Sequence, residues 1–237
     1  MSSRVNQKQA NQMVRAQLAK EQRRRRALIT ALIAVAVLVA AGLIGWGIYT
    51  HQKSTGYETP VNATADGMGL IAAKGPVTVE IYQDYMCPYC GAFEKEAQAT
   101  IDKLISDGKI QLTIHPIAIL DEFSNGTKYS TRASAAAACA SDAGKLLPYN
   151  SALYANQPKE GSDGLTTDKL IEIGKSVGLG SDFESCVKSG KYLTWVPQVT
   201  DAASRRGIQG TPTVYVAGKQ LEQPTAASLL AAVNAAS

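Results

Sequence analysis

An α/β domain, interrupted by a block of helices and preceded by one membrane-spanning helix, is what this 237-residue sequence predicts. Three observations lead there. Short apolar strand patterns flank helical ones between Met68 and Ile119 and recur after Gly207. The intervening stretch of about 85 residues carries helical periodicity alone, by the same pattern criterion. Ahead of everything lies "ALITALIAVAVLVAAGLIGWGIY", Ala27 to Tyr49, with no charged residue. At about 1.5 Å per residue that run reaches roughly 34 Å, enough to cross a hydrocarbon core of about 30 Å.

The charge is divided unevenly. Residues 1–26 carry eight Lys/Arg and one Glu; residues 27–237 carry sixteen Lys/Arg and nineteen Asp/Glu. The net charge of +4 therefore reflects a basic tail. That tail ends in Arg23-Arg24-Arg25-Arg26, directly before the apolar run. Such a cluster holds its end of a span in the cytoplasm, and Trp46 and Tyr49 suit the far interface. A basic run abutting a span orients the span and meets anionic lipid, so no nucleic-acid role is expected. A cleavable signal peptide has a shorter apolar core and a small-residue site close behind, whereas Ala63-Thr64-Ala65 lies well beyond this run. The expectation is a retained anchor, with everything after Tyr49 outside the cytoplasm, where disulfides persist. One span makes no transporter.

Residues 50–66 show no apolar periodicity and read as a linker, so the domain is expected from 67 to 237. Met68–Ala73 and Val77–Tyr82 read as strands around the turn Lys74-Gly75-Pro76. A helix follows, with Phe93, Ala97, Ile101, Leu104 and Ile105 on one face and a stop at Asp107-Gly108. Lys109–Ile119 reads as a strand. The alanine-rich run Ser130–Leu147 reads as one helix, followed by helices at Asp168–Val177, Asp182–Lys188 and Leu193–Arg205. Thr213–Val216 is a strand, Ala217-Gly218-Lys219 a turn, and "TAASLLAAVNAA" a closing helix. Trp195 and Tyr192 read as core residues.

The chemistry lies in "VTVEIYQDYMCPYCGAFEKE", where a strand gives way to a helix at Cys87-Pro88-Tyr89-Cys90. Zinc would need a second ligand pair. Only the lone Cys139 and Cys186 remain, with His51 and His115 the only histidines. No metal or other cofactor is expected. A structural Cys87–Cys90 disulfide would close too small a ring to stabilise much. Redox exchange uses the placement better. Pro88 suits the first helical position, and the free N–H groups of the first turn favour a thiolate at Cys87. Cys87 is expected exposed and attacking; Cys90, one turn in, buried and resolving.

Cys87-Pro88-Tyr89-Cys90 after a strand, with Gly210-Thr211-Pro212-Thr213 before another about 120 residues later, resembles the DsbA-like thiol–disulfide oxidoreductases of the thioredoxin superfamily. Within them it looks closest to the membrane-anchored proteins of actinobacteria and other Gram-positive bacteria. The resemblance covers Gly67 to the C-terminus and implies a thioredoxin fold with an inserted α-helical domain at about 120–206. It implies that Pro212 is cis beside the cysteines, and that the Thr211 backbone pairs with an extended substrate. It also implies a second, structural disulfide between Cys139 and Cys186, in keeping with an even cysteine count in an oxidising compartment. Many members keep a buried acid six residues before the first cysteine as a proton relay. Here that position is Ile81, so Glu80 and Asp84 are the candidates. Tyr89 replaces the histidine of the best-known oxidising members, and Pro-Tyr also occurs in the cytosolic glutaredoxins, which lack the insertion.

The function implied is introduction of disulfides into unfolded secreted proteins with free cysteines, by a monomer reoxidised by a quinone-linked membrane oxidase. A tethered reductase or isomerase is the alternative, with a non-catalytic peptide-binding chaperone behind it.

Overall fold

The computed structural model describes residues 56–237; the basic tail, the apolar run and residues 50–55 of the expected linker lie outside the described residues. Among the described residues no helix is long and apolar enough to cross a membrane.

Five strands form one sheet: β1 (Leu70–Ile71), β2 (Val77–Gln83), β3 (Ile110–Pro116), β4 (Thr213–Val216) and β5 (Lys219–Gln220). Their spatial order is β1-β3-β2-β4-β5. β2 and β3 run parallel, with Ile81 opposite Ile114, and their crossover is helix α1 (Pro88–Ser106). Parallel neighbours need such a crossover, and it brings the C-terminal ends of both strands to the end where α1 begins. β4 lies antiparallel to β2, with Tyr82 opposite Thr213, which carries the chain just before β4 to that same end.

Among the described residues the predicted elements are present, with instructive differences. The expected strand at Met68–Ala73 shrinks to two residues. After Ile71 the chain turns in, and the N–H groups of Ala72 and Ala73 share the single carbonyl of Leu112. Lys109–Ile119 shortens to Ile110–Pro116, ending where its neighbour β2 ends: Pro116 lies opposite Gln83, the last residue of β2, and Ile117 N makes the final bond to Gln83 O at 2.9 Å. The alanine-rich run makes two helices, α2 (Tyr129–Asp142) and α3 (Leu146–Ala155). Gly144, at φ +68°, follows the cap residue Ala143. Its N–H donates to Ser141 O, and that of Lys145 to Ala140 O. That is the Schellman arrangement, which ends a helix. Helices α4 (Thr167–Ser176), α5 (Ser181–Ser189) and α6 (Trp195–Arg205) complete the insertion, and α7 (Ala226–Ala236) closes the domain behind a Thr225–Ser228 capping box.

Helix α1 buries Cys90, Phe93, Ala97, Ile101 and Leu104, while Ile105 is only partly covered. Helix α2 is buried along nearly its whole length; a helix apolar on every side sits inside a bundle. Its alanines let α3, α5 and α6 approach, and the Cys139–Cys186 disulfide joins it to α5. Tyr192 and Trp195 are fully buried, and Trp195 Nε1 donates to Gly67 O at 2.7 Å. Residues 57–66 belong to this packed body rather than to a free linker: Val61 N donates to Asp142 Oδ1, and Asn62 Nδ2 to Ser141 O, each at 2.9 Å.

Candidate active site at the Cys87 turn

β2 ends at Gln83, and Asp84, Tyr85 and Met86 carry the chain to Cys87, the cap residue of α1. Its backbone is extended (φ −70°, ψ 117°), and Pro88 takes the first helical position, where its missing N–H costs no helix bond. The Cys87 carbonyl accepts from Cys90 N at 3.0 Å and Gly91 N at 3.2 Å. Across a small gap lies the loop before β4, with a cis Thr211–Pro212 bond. The Cys87 thiol donates to Thr211 O at 3.2 Å.

This contact corrects one expectation. Cys87 is only 5% exposed, not open to solvent, because the Thr211 loop covers it. Pro88 and Tyr89 are the exposed members of the motif, Tyr89 at 76%. Both thiols are free, and Cys90 is 2% exposed.

The two sulfurs are driven apart electrostatically. A hydrogen bond from the Cys90 thiol, then Thr211 and the N–H groups of Cys90 and Tyr89, outweigh burial and pull the Cys87 thiol down to about 6. Burial, and after it the neighbouring Cys87, push the Cys90 thiol well above its ordinary value. These opposite shifts favour a thiolate at Cys87 over one at Cys90, the asymmetry that thiol exchange requires.

The two acids occupy different worlds. Asp84 is fully buried. Its Oδ1 accepts from Met86 N at 2.8 Å and Ser130 Oγ at 2.6 Å, and its Oδ2 from Leu120 N at 3.0 Å. Burial raises its carboxyl to about 6 against those three donors. Glu80 points to the other face of β2, beside His115, and accepts from Arg206 at 2.7 and 3.0 Å. His115 and Arg206 hold it down at about 2. The structure thus brings Asp84, Cys87, Cys90, Thr211 and Pro212 together and leaves Glu80 in an ion pair. Cys139 and Cys186 are bonded to one another within the insertion.

Several contributors carried no signal in the sequence. Ser130 of α2 reaches Asp84, and Tyr154 Oη donates to Asp84 O at 3.3 Å. Asn150 accepts from both Gln83 and Tyr85. Gln157 donates to the carbonyls of Tyr85 and Cys87. All come from the helical insertion, which is distant in sequence and has no spacing rule linking it to the cysteines. Among the described residues no group of three or more His, Cys, Asp or Glu is placed to hold a metal ion.

Comparison with known proteins agrees with this geometry. Residues 66–235 match the family model described as thioredoxin. A serine/threonine-protein kinase, PknE of Mycobacterium tuberculosis, is 30% identical over 160 residues; the match takes in 63% of this chain and 28% of the kinase, so the chain spans under a third of that relative. A probable disulfide bond formation protein D of Bacillus cereus is 27% identical over 207 residues, covering 86% of this chain and 93% of that one. Among solved structures, the reduced disulfide bond oxidoreductase DsbG from Mycobacterium tuberculosis superposes with a TM-score of 0.61 at 30% identity, over 75% of this chain and 84% of its own. The chain belongs to the thioredoxin family, and its likeness within that family is to the DsbA-like thiol–disulfide oxidoreductases.

Proposed function

We propose that this protein is a membrane-tethered, extracytoplasmic oxidase of protein thiols that hands the Cys87–Cys90 disulfide to secreted proteins. The observation that carries the direction of flow is the placement of Cys87 at the N-terminal cap of α1 with Cys90 buried one turn in, an arrangement that pulls the Cys87 thiol down to about 6 and pushes that of Cys90 up. A sulfur that is comfortable as a thiolate is a good leaving group and stabilises the reduced pair, so the oxidised pair tends to give its disulfide away.

The steps balance simply. A substrate thiolate attacks Cys87 Sγ, the Cys87–Cys90 bond breaks, and Cys90 leaves as a thiolate that takes up a proton. A second substrate thiolate then attacks the substrate sulfur of the mixed disulfide and expels Cys87 as its stabilised thiolate. The substrate has lost two electrons and the pair has gained them. With Cys87 and Cys90 bonded, Cys87 has no thiol hydrogen for Thr211 O, and that carbonyl can accept from the N–H of an extended substrate segment. Backbone pairing of this kind tolerates many sequences. Asp84, buried in the turn that leads to Cys87, is the acid proposed to exchange the Cys90 proton. A quinone-linked membrane oxidase is the proposed reoxidant, and the anchor and orientation rest on the Arg23–Arg26 cluster and the run Ala27–Tyr49.

The test is an equilibrium titration of the full chain in glutathione buffers, reading Cys87 and Cys90 by alkylation and mass. A potential well above the glutathione couple is expected. One at or below thioredoxin's, about −270 mV, overturns the oxidase reading in favour of a reductase. In parallel, Cys87→Ser abolishes exchange and Cys90→Ser accumulates covalent substrate complexes; continued oxidation by Cys90→Ser without such complexes reverses the roles.

A further inference from the structure

Gln157 lies in the loop after α3, 70 residues from Cys87, yet its amide reaches the active-site turn. Nε2 donates to Cys87 O at 2.8 Å and Tyr85 O at 3.1 Å, so both amide hydrogens go to the two carbonyls that flank Met86. The Cys87 carbonyl thereby gathers three donors: this amide and the N–H groups of Cys90 and Gly91. The side chain lies across the first turn of α1. A Cβ on Gly91 would stand 2.3 Å from Gln157 Oε1. Glycine inside a helix costs about 1 kcal/mol relative to alanine, and Gly91 has an ordinary helical backbone, so no turn requires it. The space it leaves is filled by Gln157.

We propose that Gln157 is a positioning residue for the redox pair: from the helical insertion it clamps the Tyr85 and Cys87 carbonyls, and Gly91 is small so that it can. The clamp works through geometry. The N–H groups of Tyr89 and Cys90 stabilise charge on Cys87 only while the turn holds the sulfur at the helix N-terminus. Releasing the two carbonyls lets the turn relax and leaves them without this donor. Gln157 touches neither sulfur. Its influence on exchange passes through the backbone of Cys87 and ties the insertion to the chemistry. The inference rests on the redox reading of the pair.

The experiment titrates the thiolate absorbance of the reduced full chain against pH for the native protein, Gln157→Ala, Gly91→Ala and the double variant. Thermal melting confirms that each is folded. Gly91→Ala is the second route to the same disruption, because the atom it meets is the movable end of a side chain. Each single change is expected to raise the Cys87 midpoint by roughly half a unit to one unit, from the loss of one or two neutral hydrogen bonds, and the double variant no further. An unchanged midpoint in folded Gln157→Ala overturns the proposal, and effects that add in full overturn the pairing of Gly91 with Gln157. A native midpoint in the ordinary thiol range overturns the redox reading itself, a failure distinct from both.

Discussion

Cys87 and Cys90 are chemically identical and three residues apart, yet one is pulled down to about 6 and the other pushed well up. The difference is position on α1: Cys87 caps the helix beside the N–H groups of Tyr89 and Cys90, whereas Cys90 is one turn in, under α1's buried face. Asp84 adds a third titrating group. Burial lifts its carboxyl from 3.8 to about 6, so the folded state binds its proton more tightly than the unfolded chain does. The stability this contributes is fully present below pH 3.8 and is lost as pH rises through about 6. The two-unit difference corresponds to on the order of 3 kcal/mol. Asp84→Asn is expected to flatten the stability profile between pH 4 and 6, whatever constant cost comes from facing the Leu120 N–H with an amide. It is also expected to slow the steps in which Cys90 loses its proton by on the order of 10²-fold. Denaturant melts at several pH values read the first effect and stopped-flow exchange the second. An unaltered profile with unaltered rates removes Asp84 from the mechanism.

At the scale of elements, the insertion is a bundle arranged around α2, and the Cys139–Cys186 bond closes a separation of 47 residues between α2 and α5. In the chain-entropy picture such a closure stabilises the fold by about 4 kcal/mol. Replacing both cysteines by alanine is expected to remove most of that in denaturant unfolding while leaving the Cys87 thiolate midpoint unchanged. A shifted midpoint would show that the bundle's staple reaches the redox turn. The insertion does reach that turn by other contacts: Ser130 from α2, Asn150 and Tyr154 from α3, and Gln157 just beyond α3. Elements that read as an interruption of the sheet domain therefore form one wall of its active site.

Over the whole molecule, the sheet order brings three separated pieces of chain to one end: the end of β2, the start of α1 and the loop before β4. A tether ahead of Tyr57 would hold that domain at a membrane surface, where secreted chains emerge. The expected arrangement is checked on intact cells by adding protease and following tags at each terminus. The C-terminal tag is digested, the N-terminal tag is protected, and the protein stays with the membrane after alkaline washing. Release of the C-terminal tag into the medium without the N-terminal one would mean that the apolar run is removed, and digestion of the N-terminal tag with protection of the C-terminal one would reverse the orientation.

What the sequence determined by itself was local or motif-borne. The Cys-Pro-Tyr-Cys step from strand to helix, the apolar face of α1, the strand at Thr213–Val216 and the helical block are written in spacing and residue type, because period and capping act over a few residues. The geometry of Thr211–Pro212 and the Cys139–Cys186 pairing were implied only by resemblance, since no local rule selects either. The tertiary structure alone decided the rest. It covered Cys87 with a loop 124 residues away, chose Asp84 over Glu80 as the buried acid beside the cysteines, and broke the alanine run at Gly144. It also sent Gln157 across the first turn of α1. The physical reason is common to these cases. Charge states and hydrogen-bond partners depend on what is buried together, and burial is settled by packing between elements far apart in the chain.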